Sequence, residues 1–136
     1  MRTQMRLVLV LVAALGLAWT GQATAQAAVA VAIQPAAKLV GDGAVRVVVV
    51  ASCDSGHQVL EAHLSVSQDD QAISGTTGIP VRCDGRARRY RVTVSPLDGA
   101  FHAGDASASA FVLTCADPPT CGTTEQGQDA RTITVR

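Results

Sequence analysis

From residue 28 onward the chain reads as short apolar or alternating runs divided by turn residues. Ala28 to Gln34 is a small apolar strand closed by Pro35, and Gly41-Asp42-Gly43 forms a turn. Ala44 to Cys53 carries the strongest strand signal, with Val47 to Val50 unbroken. β-Branched side chains suit a pleated, packed surface, and an apolar run on both faces predicts a central strand. After a turn at Asp54-Ser55-Gly56, His57 to Gln68 alternates. Leu60, Ala62, Leu64 and Val66 fall on one face, and Glu61, His63, Ser65 and Ser67 on the other. That period of two predicts a half-buried strand.

Gln68 to Gly78 is polar and rich in Gly and Thr, which predicts a loop with room for a short edge strand. Asp84-Gly85 lies between Ile79–Cys83 and Arg88–Ser95 and predicts a hairpin. In its second arm Tyr90, Val92 and Val94 point inward, and Arg89, Arg91 and Thr93 outward. Pro96 to Gly104 is a long turn containing Phe101. In the strand Ala106 to Thr114, Phe111 and Val112 compete for the core unless a bulge admits both. Ala130 to Arg136 is the last strand, with Ile133 and Val135 inward. About seven strands and no helical period predict an all-β fold, an antiparallel sandwich of the immunoglobulin or fibronectin type III kind. The antibody variety needs a Trp between two widely spaced Cys, and the single Trp here is Trp19, ahead of every strand.

The preceding segment has a different character. Arg2 and Arg6 precede an apolar run of 12 residues, Leu7 to Ala18, and Ala23-Thr24-Ala25 supplies small residues at a cleavage site. This predicts a cleaved signal peptide over 1–25 and a single domain over 26–136. The run is short of the roughly 20 residues a membrane span needs, so the expectation is a secreted, extracellular protein with no membrane association after cleavage. The domain then keeps nine of the eleven Lys/Arg against eleven Asp/Glu, a net charge of −2. A balance so near neutral gives no reason to expect nucleic acid as a partner.

Export changes the reading of the four cysteines, Cys53, Cys83, Cys115 and Cys121. An even count in a short exported chain predicts disulfides, here in any of three pairings. Cys53–Cys83 with Cys115–Cys121 is favoured, because only Ala-Asp-Pro-Pro-Thr separates the second pair. In the chain-entropy model the longer bridge contributes about 3–4 kcal/mol and the shorter about 2–3 kcal/mol. A zinc site is disfavoured, since no Cys-x-x-Cys occurs and the three His show no ligand spacing with the Cys.

Other candidate chemistry is thin. Arg82, Arg86, Arg88, Arg89 and Arg91 form a basic cluster that would suit an anion, or would simply discourage edge-to-edge association. Only Arg89 and Arg91 share a strand face. Glu61 and His63 share one too, and could be half of an acid/base pair or an ordinary polar surface. No Gly-x-Ser-x-Gly elbow is present, and oxidised Cys offer no thiolate. Asp42, Asp69 and Asp70 do not supply the ligand spacing of a calcium loop. Tyr90, Phe101 and Phe111 are too few to build a stacking platform for bases or sugars. The Pro118-Pro119 ring closed by Cys115 and Cys121 would be preorganised for docking, as in protease-inhibitor loops, or would be a plain staple.

The order of these features resembles a known group. A Val-rich strand ending in Cys53, the Leu60–Val66 alternation, Cys83-Asp84-Gly85, the Arg88–Ser95 strand and Gly99-Ala100-Phe101 ahead of Cys115 resemble small exported actinobacterial immunoglobulin-like proteins of uncharacterised function. Cys115 to Val135 is also similar to neocarzinostatin-type apoproteins, secreted sandwiches with two disulfides that carry a chromophore in a cleft. That family's second bridge closes a short loop, whereas Cys53 and Cys83 are 30 positions apart, so no binding residues carry over. The resulting expectation is a non-enzymatic binding or interaction domain without a cofactor, for an unknown extracellular protein or small ligand. The interaction surface would involve Arg89, Arg91, Pro118 and Pro119. The alternatives are a small-molecule carrier of the neocarzinostatin kind and a protease inhibitor acting through the Cys115–Cys121 loop.

Overall fold

The computed structural model describes residues 28–136. The predicted signal segment, 1–25, lies outside the described residues. The rest is all-β, in eight strands: β1 (Val29–Ile33), β2 (Ala36–Val40), β3 (Ala44–Cys53), β4 (Gln58–Gln68), β5 (Ile73–Gly78), β6 (Arg88–Val94), β7 (Gly104–Cys115) and β8 (Thr124–Val135). Their pairing follows one path, β1-β3-β2-β8-β7-β4-β5, with β6 on the free edge of β3. All pairs are antiparallel except β2 with β8, which is parallel at Ala36–Thr134 and Ala37–Val135.

The crossing at β2 divides the path into two halves. β1 and β2 share one edge of β3 and swap places at Pro35. The Gln34 N–H donates to Val48 O of β3 at 2.9 Å, and the Pro35 carbonyl accepts from Thr134 of β8 at 2.8 Å. Proline has no N–H to continue the first ladder, so the chain changes partner there. Alternation in β3 turns Val45, Val47 and Val49 inward. They meet Val92 and Val94 of β6, Leu64 and Val66 of β4, and Ile133 and Val135 of β8 in one core. β7 contributes only Ala106, Ala108 and Ala110, and Phe101 joins them. A core of Val and Ala buries little area per residue, so the covalent staples carry weight.

The two halves also approach at β5. A Cβ on Gly75 would lie 2.2 Å from the Ser95 carbonyl oxygen and 2.9 Å from Val94. Leu97 N–H donates to Ser74 O at 2.8 Å alongside.

Both disulfides are as expected. Cys53–Cys83 has its Cα atoms 4.4 Å apart, and Cys115–Cys121 5.0 Å. Cys53 packs with Val29 and Val112 in a second small cluster, over which Val81 and Cys83 lie.

Several expectations are corrected. Residues 36–40 form a strand, too short and too close to Pro35 to stand out. Residues 73–78 form a full edge strand, held by six paired positions on β4. Ile79 to Cys83 is not a hairpin arm. Pro80 has no N–H, the Val81 N–H turns back to Ile79 O, and Gly85 N–H caps Cys53 O. β6 pairs with β3 instead. Cys83 therefore sits in a loop beside the end of β3, not in a paired strand. β8 begins at Thr124 rather than 130, because ladder bonds to β7 hold a polar stretch that has no apolar signature.

Leu60, expected inward, is 46% exposed. The register shifts between Val59 and Glu61, leaving Leu60 as the extra residue of a bulge. Val112 faces the core and Phe111 the outer side; β7 has no bulge.

Candidate functional site

Outward positions on β5, β4, β7 and β8 line up in rows across the strands. Pairing sets Ser74, Ser67, Ser107 and Thr132 in one row, and Thr76, Ser65, Ser109 and Ala130 in the next. The following row is bulkier: Gly78, His63, Phe111 and Gln128. Rows two residues apart along a strand are about 7 Å apart. Two rows of short side chains beside a row with two rings leave a trough, and one of about 500 Å³ lies there, floored by both small rows. Gln71 and Arg131 stand at its margins. Its floor is hydroxyl-rich, and Ser65 Oγ and Thr76 Oγ1 bond each other at 2.9 Å. The space continues up to the ring row, where His63, Phe111 and Gln128, facing Ser109 and Ala130 of the small row, border a further hollow of about 510 Å³.

Glu61 and His63 do meet. His63 Nδ1 lies 3.1 Å from Glu61 Oε1, and its ring packs on Phe111 with centroids 5.6 Å apart. Ser109 borders the same hollow, yet among the described residues no hydrogen bond links His63 to Ser109. The pair lacks an attached nucleophile.

At the trough's other end, the turn after β4 holds Asp69, Asp70 and Gln71 at φ of 53°, 53° and 70°, the left-handed region. His102 is tied there through Nε2 to Asp69 Oδ2 at 2.9 Å and through Nδ1 to Ala103 O at 2.9 Å. The Ala103 carbonyl, then Asp69, favour the imidazolium and raise the His102 pKa above its usual 6.5.

The sequence-predicted interaction residues separate into two places. Arg89 and Arg91 are exposed on the outer face of β6, opposite Val50 and Val48 of β3. Arg89 Nη2 donates to Gln34 Oε1 at 3.1 Å. Arg88 points the other way and pairs with Asp84, whose carboxyl is held below its ordinary pKa chiefly by that hydrogen bond. Strand pairing adds Arg46 and Lys38 to the Arg89/Arg91 face. Sequence reading missed both, since each is a lone cation in an apolar run.

Pro118 and Pro119 are exposed on the ring closed by Cys115–Cys121. The ring is a tight turn. Thr120 N–H and Cys121 N–H both donate to Asp117 O, at 3.1 and 3.2 Å, and Asp117 Oδ1 accepts from Thr123 N–H at 2.9 Å.

The trough itself had one legible signal, the Ser65/Ser67 and Ser107/Ser109 alternations. Nothing in the sequence said that they face each other. No family model, curated protein or solved structure matches the chain.

Proposed function

We propose that this chain is a secreted, non-enzymatic binding domain whose ligand sits in the hydroxyl-floored trough of β5, β4, β7 and β8. The observation behind this reading is the trough of about 500 Å³, within the range of small-ligand sites. Its floor is a rigid four-strand surface, so little order has to be gained on binding. Secretion is supported by two disulfides with no free cysteine. The immunoglobulin-like resemblance is supported by an all-β chain with one core shared by two halves of a sheet path.

The floor chemistry narrows the ligand. Hydroxyls that both donate and accept suit a polar molecule with an apolar edge for the His63 and Phe111 rings. A carrier of the neocarzinostatin kind calls for a deep cleft, and this trough is open, with hydroxyls spread along its floor. The inhibitor reading fits less well still. A loop bound as substrate must present extended backbone, whereas Thr120 and Cys121 turn their amides back onto the Asp117 carbonyl.

The test is an amide NMR screen with small polar compounds. Shifts clustered on Ser65, Ser107, Ser109 and Thr132 would support the trough. Hits clustered only on 116–122 would sink it.

A further inference from the structure

The near-neutral net charge conceals a division between the two halves of the fold. β1, β2, β3 and β6 carry Lys38, Arg46, Arg88, Arg89 and Arg91 and no acidic residue. β4, β5, β7 and β8 carry Glu61, Asp105, Glu125 and Asp129 against Arg131 alone. Four of the five cations share one outer face. Lys38 pairs with Arg46 across β2 and β3, Arg46 lies opposite Thr93 on β6, and Arg91 and Arg89 follow on that strand. Neighbouring positions across strands are about 5 Å apart, and diagonal or i,i+2 positions about 7 Å. The four thus form one oblique stripe. None of them has an ion-pair partner among the described residues; the Arg–acid pairs there are Arg88–Asp84 and Arg131–Asp129.

We propose that this stripe binds a linear polyanion, a chain carrying phosphate or sulfate groups at intervals of a few ångströms. An uncompensated row of cations concentrates such a chain by counterion release. Three of the four are Arg, whose planar fork matches tetrahedral oxyanions. Val48 beside Arg46 and Arg91 floors a hollow of about 300 Å³ that also reaches Lys38, where an anionic group can lie between the cations. The face offers no ring for base stacking, because Tyr90, the sole aromatic on these four strands, packs against the core. Binding there reads charge and spacing, so a base-free polymer is favoured over nucleic acid.

The experiment uses the protein with both disulfides formed, titrated with heparin, inorganic polyphosphate and single-stranded DNA of matched length. Heparin or polyphosphate should bind at about 50 mM salt, with a log–log salt slope of about −3 for four cations. Tighter binding to polyphosphate would mark phosphate as the preferred group, and to heparin sulfate. R46E/R91E should weaken binding at least tenfold, and the milder R46Q/R91Q by a smaller factor with folding intact. R82E/R86E, which alters cations off this face, should change it less than twofold. Absence of binding at low salt, equal loss in R82E/R86E, or tighter binding to DNA than to either polymer would overturn the proposal.

Discussion

Gln68 and His102 hold each other in both directions: the Gln68 amide donates to the His102 carbonyl at 2.8 Å and accepts from the His102 N–H at 2.9 Å. Gln68 is 3% exposed at the end of β4. The contact clamps the long Pro96–Gly104 turn to the strand that floors the trough. Replacing Gln68 by Ala leaves two backbone groups of His102 without their partner, a loss of about 1–3 kcal/mol. Urea unfolding should show that loss. Amide exchange should quicken in residues 96–104 first.

His102 makes this end of the molecule pH-sensitive. Its folded pKa is raised by Ala103 O and Asp69. A raised folded value means the contribution is fully present below the unfolded pKa of about 6.5. It is lost as pH rises through the folded value. An NMR titration should place His102 above 6.5, and D69N should lower it. Protection of the 96–104 turn should weaken as His102 deprotonates.

Gly75 and Gly78 lie on the same strand and should respond unequally to alanine. A Cβ at Gly75 would sit 2.2 Å from Ser95 O, whereas at Gly78 the nearest atom is 3.8 Å away. Gly75→Ala must push β5 away from β6, which should cost at least 2 kcal/mol, roughly an overpacking penalty. Gly78→Ala should stay within about 0.5 kcal/mol of wild type. Thermal denaturation of the two variants separates these outcomes.

The β4 bulge gives a second contrast. Leu60→Ala should be nearly neutral and Leu64→Ala should cost about 2–5 kcal/mol, because Leu60 is 46% exposed and Leu64 0%. Equal losses in chemical denaturation would mean that the alternation runs unbroken through residue 60.

Period-two alternation carried most of the fold. Leu64 and Val66, Val92 and Val94, and Ile133 and Val135 all face inward as the pattern says. It failed where something other than burial decides. Leu60 obeys the pattern, yet one inserted residue in the ladder turns it out. Ile79–Cys83 has strand-like residues, yet Pro80 and the bridge to Cys53 hold it off any ladder. Thr124–Asp129 has no apolar rhythm and is a strand because β7 supplies twelve successive partners to β8. The candidate surfaces were less legible for the same reason. Ser65 meets Ser109, and Arg46 meets Thr93 next to Arg91, only through cross-strand register. One strand's sequence does not encode which strand lies beside it.

The most direct measurement is native mass spectrometry of the protein taken from culture medium, beside a Ser109→Trp variant that fills the trough. A noncovalent adduct on the wild type that leaves on denaturation and is missing from S109W is the predicted result. A bare mass for the gently handled wild type, or an adduct that persists unchanged in S109W, would contradict the trough as the binding surface.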